Sequence, residues 1–213
     1  MERIFTDQMG RRIRIASPPK RIVSLVPSQT ELLHTLGLEK EVVGITKFCV
    51  HPEKWFRNKT RIGGTKKLHL KKIEALQPDL IIANKEENDQ KQIKELVEKY
   101  PVWISDITTL EDALQMIEAI GEMTGTEKKA ETLTGNILDV FHQLRKSTVP
   151  TPLRAAYFIW RKPYMVAANQ TFINCMLEWA GFENIYLHLN RYPEIDLAEL
   201  KKLNPEVILL SSE

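Results

Sequence analysis

Residues 70–82, LKKIEALQPDLII, recur as residues 197–209, LAELKKLNPEVIL, at a constant offset of 127 (205 − 78). Ile73, Leu76, Pro78, Leu80, Ile81 and Ile82 each meet an apolar residue or a proline in the second copy. A proline inside a helix removes a backbone donor and clashes with the preceding turn, so each copy must end its helix there and continue as an apolar strand. Arg21-Ile22-Val23 similarly echoes Arg154-Ala155-Ala156. Ordinary α/β patterning could produce such a match, but strand, helix and proline stop recur in the same order. Two related α/β lobes are the better reading.

The segments around these copies fit that scheme. Residues 4–15 read as a hairpin turning at Gly10 and stopped by Ser17-Pro18-Pro19. Arg21–Val26 is a strand broken by Pro27-Ser28. Ser28 or Thr30 can cap a helix over Glu31–Leu36 that closes at Gly37. Strands at 42–45, 79–83 and 102–104 alternate with helices at 68–77, 86–100 and 110–123, the last closed by Gly125. Such alternation implies a parallel sheet. Residues 126–146 form one long helical pattern, roughly 30 Å at 1.5 Å per residue, ended by Val149-Pro150-Thr151-Pro152. A second unit follows: strand 155–160, helix 172–180 closed by Gly181, helix 197–203 and strand 207–210. The expected architecture is therefore an α/β fold of two Rossmann-like lobes joined by a single long α-helix. The expected boundaries are 1–125 for the first lobe, 126–148 for the helix and 149–213 for a second lobe that reads as truncated.

Composition narrows the function. Thirty Lys+Arg against 28 Asp+Glu give a formal charge of +2, without the basic excess of a nucleic-acid binder. Charges spread through the first twenty residues leave no room for a secretory signal, which favours a cytoplasmic location over a periplasmic one. No apolar run approaches the ~20 residues that span a bilayer. The two cysteines, Cys49 and Cys175, form no CxxC or zinc pattern and read as free buried thiols. The five histidines, His34, His51, His69, His142 and His188, show no HxH, HxxxH or HExxH spacing; no metal site, resident cofactor or catalytic residue is expected. His51, His69 and Asp106 could converge, but surface or capping histidines are the default. Gly63-Gly64-Thr65-Lys66 lacks the spacing of a phosphate loop, and no GxSxG elbow or paired acids stand out.

In open α/β sheets a ligand lies beyond the carboxyl ends of the strands, and clefts between lobes are favoured sites. Those ends are Val26-Pro27-Ser28, Thr46-Lys47-Phe48, Asn84-Lys85, Ser105-Asp106, Trp160-Arg161-Lys162 and Ser211-Ser212. A small-molecule ligand in an interlobe cleft is the expectation, with Asn84 and Asp106 among the residues at its edge.

The run Arg21–Leu33 (RIVSLVPSQTELL), following the hairpin and Pro18-Pro19-Lys20, resembles the start of the helical-backbone (class III) periplasmic substrate-binding proteins, which serve ABC importers of vitamin B12, haem and ferric siderophores. Ile62–Ala83 (IGGTKKLHLKKIEALQPDLIIA) resembles their next signature, a cleft loop followed by a helix, proline and strand. The similarity runs from Ile4 to about Leu210. VVGITKFCVHP (42–52) and EWAGFENIY (178–186) place it nearest the vitamin B12 branch. The resemblance implies a non-enzymatic binding protein that holds a corrinoid or ferric chelate. It implies aromatic ligand contacts at Phe48 and Tyr192, with a third family position falling on Thr65. Trp160 and Tyr164 could extend that wall, and Lys66 and Arg191 could meet carboxylates or amides. Family members carry a permease-docking glutamate on each lobe; here those positions hold Lys71 and Ala198, with Glu74 and Glu199 nearby. Service to an ABC permease is therefore a doubtful expectation. A cytoplasmic cofactor-handling or sensing protein of the same fold is the alternative, with Asp106 or Cys49 as its reactive group.

Overall fold

The computed structural model describes residues 2–147 and 151–211. The helix stop at Val149-Pro150 and the strand-end residue Ser212 lie outside the described residues. The chain divides into two compact units: residues 1–106 with 115–132, and residues 107–114 with 133–213.

The first unit opens with the antiparallel hairpin β1 (Glu2–Thr6) and β2 (Arg12–Ala16). Gly10, at φ 74°, makes its turn. Asp7 is buried and accepts from Arg11 Nη2 at 2.6 Å and from the Ile104 backbone N–H at 3.2 Å. Beyond it lie β3 (Ile22–Ser24), α1 (Pro27–Thr35), β4 (Val42–Ile45), α2 (Glu53–Asn58), β5 (Thr60–Arg61), α3 (Leu70–Leu76), β6 (Leu80–Asn84), α4 (Gln90–Val97), β7 (Val102–Ser105) and α5 (Leu110–Thr124). The five strands form one parallel sheet in the order β5-β4-β3-β6-β7. β3 and the first four residues of β6 are fully buried, which explains why both read as continuous apolar runs. α3 and α4 press Ile73, Ile93 and Leu96 onto Val23, Ile81 and Val102 of the sheet.

Three details depart from the sequence reading. α1 begins four residues early, because Pro27 takes the first helical turn, where a missing N–H costs nothing. Neither Ser28 nor Thr30 caps it; the Thr30 hydroxyl instead donates to Ser24 Oγ at 2.8 Å and to the Val26 carbonyl at 3.0 Å. α4 begins at Gln90 because Asn84 Oδ1 draws in the N–H groups of Glu86 and Glu87 as a turn, and Asp89 caps the helix through Gln92 N.

The chain enters the second unit at residue 107, returns to the first within α5, and enters the second again within α6 (Glu127–Ser147). There β8 (Leu153–Trp160) is paired in parallel with β10 (Phe182–Asn184) and β11 (Val207–Leu210), and antiparallel with the short β9 (Met165–Val166). α7 (Phe172–Trp179) starts at a Thr171 cap, and α8 (Leu197–Leu203) starts at an Asp196 cap. The small core packs Ala156, Phe158, Val166, Ala168, Ile185 and Tyr186 together.

The repeat holds in atomic detail. α3 ends at Gln77 with φ 45° and α8 at Asn204 with φ 47°, again 127 apart (204 − 77). Arg21 Nε donates to the Leu76 carbonyl at 2.7 Å, while its backbone N–H donates to Asp79 Oδ1 at 2.7 Å. In the second unit Arg154 donates to the carbonyls of Leu203 at 2.5 Å and Asn204 at 3.1 Å, and its N–H reaches Glu206 Oε2 at 2.9 Å. Each arginine closes the carboxyl end of a short helix, whose last carbonyls have no partner within the helix. The acid after the proline holds the strand that carries that arginine.

Candidate functional site

The first unit's strand order reverses direction at β3: β4 and β5 are added on one side, β6 and β7 on the other. Loops leaving neighbouring strands diverge at such a point and open a crevice at the carboxyl edge. Asn88, 5% exposed, ties three of those loops together. Its Nδ2 donates to the carbonyls of Leu25 at 3.3 Å and Thr65 at 3.1 Å, and its Oδ1 accepts from Asn84 N at 2.8 Å. Beside it Gln29 Nε2 donates to Ser105 Oγ at 2.7 Å and to the Ala83 carbonyl at 3.2 Å; Asn84 Nδ2 reaches the same hydroxyl at 3.0 Å. Cys49 is buried with its sulfur 3.1 Å from both Thr30 Oγ1 and Thr46 Oγ1. A buried network of this kind fixes the rim above it, since each polar group left unpaired there would cost free energy.

The rim is the loop 63–68 with Lys47 and Phe48 laid across it. Lys47 N donates to the Gly63 carbonyl at 2.7 Å, and Gly64 N donates to the Lys67 carbonyl at 2.9 Å. Gly63 sits at φ 106°, and a Cβ there would fall 2.5 Å from the Lys67 carbonyl oxygen, so only glycine makes this turn. A Cβ on Gly64 would stand 3.0 Å from Phe48 Cε2. The ring therefore lies directly on backbone, 52% exposed, with the Lys47 ammonium 4.9 Å from its centre.

The expected residues of this unit occupy different roles. Phe48 is exposed at the edge. Lys66 is exposed and its ammonium donates to the Glu86 carbonyl. Thr65 is only 8% exposed and its carbonyl is taken by Asn88. Asn84 spends its amide on the loop network. Asp106 Oδ2 accepts from Lys85 Nζ at 2.6 Å, while Oδ1 is buried without a partner among the described residues. Gln29 and Asn88 were not anticipated, and Ser105 was marked only as a strand end; with Asn84 read at the end of its strand and Asn88 inside the helix over 86–100, their spacing of four was the available signal.

In the second unit the carboxyl end of β8 opens onto a groove of about 780 Å³, lined by Phe158, Ile159, Trp160, Arg161, Lys162, Tyr164, Leu210 and Ser211. Trp160 is 61% exposed and its indole N–H donates to the Lys162 carbonyl at 3.0 Å, which fixes the ring's edge. Tyr164 meets Phe158 edge-on, 6.1 Å between ring centres. Arg191 and Tyr192 are brought together elsewhere, on a ribbon paired with residues 165–169. Ala168 N donates to the Arg191 carbonyl at 2.9 Å, and the Arg191 guanidinium, bound to the Gln170 carbonyl at 2.9 Å, lies 5.7 Å from the Tyr192 ring centre. Neither residue lines the groove.

Lys71 and Ala198 are both the second residue of their helices, α3 and α8, at the repeat's own offset (198 − 71 = 127), and both are exposed. Among the described residues no three His, Cys, Asp or Glu side chains gather to hold a metal ion, and no helix is long and apolar enough to cross a membrane.

Comparison with known proteins fits this arrangement. The chain is 27% identical over 212 residues to YvrC of Bacillus subtilis, an ABC transporter substrate-binding lipoprotein, covering 95% of this chain and 67% of that one. It is 24% identical over 197 residues to the vitamin B12-binding protein of Vibrio parahaemolyticus, covering 91% of this chain and 71% of the other. Among solved structures, the periplasmic vitamin B12-binding protein BtuF of Vibrio cholerae superposes with a TM-score of 0.83 at 24% identity, over 92% of this chain and 78% of BtuF. The periplasmic haem-binding protein RhuT of Roseiflexus superposes with a TM-score of 0.79 at 20% identity, over 92% of this chain and 76% of RhuT. These relatives are binding proteins, not enzymes. They are described as lipoprotein or periplasmic, so the cytoplasmic preference drawn from the first twenty residues has no support. Matched by the model of that family across residues 22–213, the chain belongs to the periplasmic binding protein family.

Proposed function

We propose that this protein is the substrate-binding component of an ABC importer and takes a large, flat metal chelate of the corrinoid or iron-chelate class. The observation that carries this reading is the pair of exposed rings at strand carboxyl ends, Phe48 in the first unit and Trp160 in the second, at 52% and 61% exposure. Both rings lie at the carboxyl ends of parallel strands, where ligands of open α/β sheets bind. Such rings bury much apolar area at low entropic cost when a planar ligand lies on them. Tyr164 adds to the second surface, where Arg161 and Lys162 supply polar groups along the same groove. The relatives' vitamin B12 and haem support the same size and shape of cargo. Working as an importer component also places the protein on the outer side of the membrane.

Of the four tryptophans Trp160 is 61% exposed, Trp55 and Trp103 are each 1% exposed and Trp179 is half-buried, so the part of the quenching lost on replacing Trp160 reports on the proposed contact. Cyanocobalamin, haemin and a ferric siderophore are titrated against the purified chain. Saturable quenching by at least one of them, reduced in Trp160→Phe, is expected. No quenching by any of them at tens of micromolar removes the proposal.

A further inference from the structure

We propose that Lys47 is a positioning residue: its ammonium holds the Phe48 ring in the attitude in which the ring meets the planar ligand, without binding that ligand itself. This role rests on the chelate-binding reading above and adds how the ring is held ready. Lys47 and Phe48 are both exposed, and both lie in the first unit just past the carboxyl end of β4. The Lys47 ammonium is 4.9 Å from the ring centre, and among the described residues it forms no ion pair and no hydrogen bond. Other cations that stand over rings are also engaged with an oxygen: Arg3 with Glu122, Lys59 with the Glu39 carbonyl, Arg61 with the Phe56 carbonyl and Arg191 with the Gln170 carbonyl. The rings under those four cations are buried or half-buried, whereas Phe48 is 52% exposed. Of these rings, the one that packing does not hold carries the cation with no other partner.

The frame around the pair is fixed. Lys47 N donates to the Gly63 carbonyl at 2.7 Å, and Cys49 N donates to the Thr46 carbonyl at 3.2 Å, so the backbone on both sides is tied. Gly64 is the floor they share: a Cβ there would lie 3.0 Å from Phe48 Cε2 and 3.4 Å from Lys47 Cε. Ring edge and lysine stem thus converge on bare backbone, and the stem carries the ammonium to the ring. A cation is attracted by the ring quadrupole and resists the ring's rotation away from it. An exposed phenyl without such a contact samples several rotamers and loses that freedom when a ligand lies on it, which subtracts from affinity. A ring held before binding avoids that loss. The effect passes through the ring, so it does not depend on the charge at the ligand's edge.

Calorimetric titration of cyanocobalamin, haemin and a ferric siderophore into wild type, Lys47→Met, Lys47→Arg, Phe48→Leu and the Lys47→Met, Phe48→Leu double variant separates this role from direct contact. Lys47→Met keeps the stem and removes the charge. It is expected to weaken every chelate that binds by about two- to fivefold, the scale of an exposed cation–π contact. Lys47→Arg, whose guanidinium also stacks on a ring face, is expected to restore most of that loss. In the Phe48→Leu background the methionine substitution is expected to change affinity by less than about 1.5-fold, since no ring remains to be held. Wild-type affinity in Lys47→Met, no recovery in Lys47→Arg, or an equal loss with and without the ring overturns this inference and leaves the proposed function standing. Binding of none of the three chelates by wild type overturns both.

Discussion

Truncating Phe48 to alanine removes an exposed ring at the carboxyl edge of the first sheet while leaving the supporting network alone. The ring is 52% exposed, so about half of its surface is already engaged with Gly64 and Lys47 and half is open to a ligand. Full burial of a phenylalanine side chain is worth about 1.5–3 kcal/mol, so covering the open half contributes about 1–1.5 kcal/mol. Stacking geometry adds about 0.5–1.5 kcal/mol. The sum, about 1.5–3 kcal/mol, corresponds to a loss of roughly 10–100-fold in chelate affinity. The cost to folding is smaller, about 1 kcal/mol or less, because the lost contacts are to backbone and a mobile lysine stem. Calorimetric titration of the tightest-binding chelate into wild type, Phe48→Ala and Phe48→Leu reads this directly, with thermal unfolding as the control. The leucine variant keeps apolar area without a planar face and should fall between the other two. An alanine variant that unfolds normally and binds within twofold of wild type would refute the assignment of Phe48 to the ligand.

Other expectations follow from the same structure. Arg154→Ala removes both donors from the carbonyls of Leu203 and Asn204. Because α8 has no buried residue of its own, hydrogen exchange over 197–204 should speed up by an order of magnitude, about 1–2 kcal/mol of local stability; unchanged exchange there would show that the arginine does not hold the helix. Asp112 accepts from the N–H groups of Thr108 at 3.0 Å and Thr109 at 2.9 Å, while Thr109 Oγ1 accepts from Asp112 N at 3.1 Å, a reciprocal cap on α5. Burial opposes its ionisation, but the hydrogen bonds from Thr108 and Thr109 outweigh it and hold the carboxyl below its ordinary 3.8. Its contribution is thus present above 3.8 and lost as pH falls through the folded value. Asp112→Asn should cost about 1 kcal/mol near neutral pH and progressively less below pH 3.8, read from denaturant midpoints; a cost independent of pH would contradict this. Burial, with a smaller push from Glu199, raises the Tyr186 phenol from 10.0 to about 12. The folded state keeps it protonated, so the stability it lends is full below pH 10 and drains as pH approaches 12. Alkaline absorbance titration should find a tyrosine ionising near 12, a step that Tyr186→Phe removes; a titration unchanged by that substitution would contradict this.

The sequence was most informative where covalent geometry dictates the outcome. Pro78 and Pro205 had to end their helices, and the αL residues Gln77 and Asn204 show how both copies do it. Gly10, Gly37, Gly125 and Gly181 all take positive φ at the turns expected of them. The long pattern at 126–146 became α6, Glu127–Ser147. Short elements without a clear period escaped: α2 over Glu53–Asn58 buries only Trp55, and β5 spans two exposed residues. The edge aromatics Phe48, Trp160 and Tyr164 were legible because they follow strands. The loop network was not, because the Asn84–Asn88 exchange and the Gln29–Ser105 bond join residues through tertiary placement, which periodicity does not encode. Arg191 and Tyr192 were expected at the ligand from the resemblance, yet pairing of their ribbon with residues 165–169 leaves them outside the groove.

The most direct test is a crystal structure of the chain soaked with the chelate that quenches its fluorescence. The chelate ring is expected face-on against Phe48, beside the Lys47 ammonium. A chelate bound away from the carboxyl end of β4, or that edge filled by the protein's own side chains under saturating ligand, would contradict the claim that this edge binds the chelate.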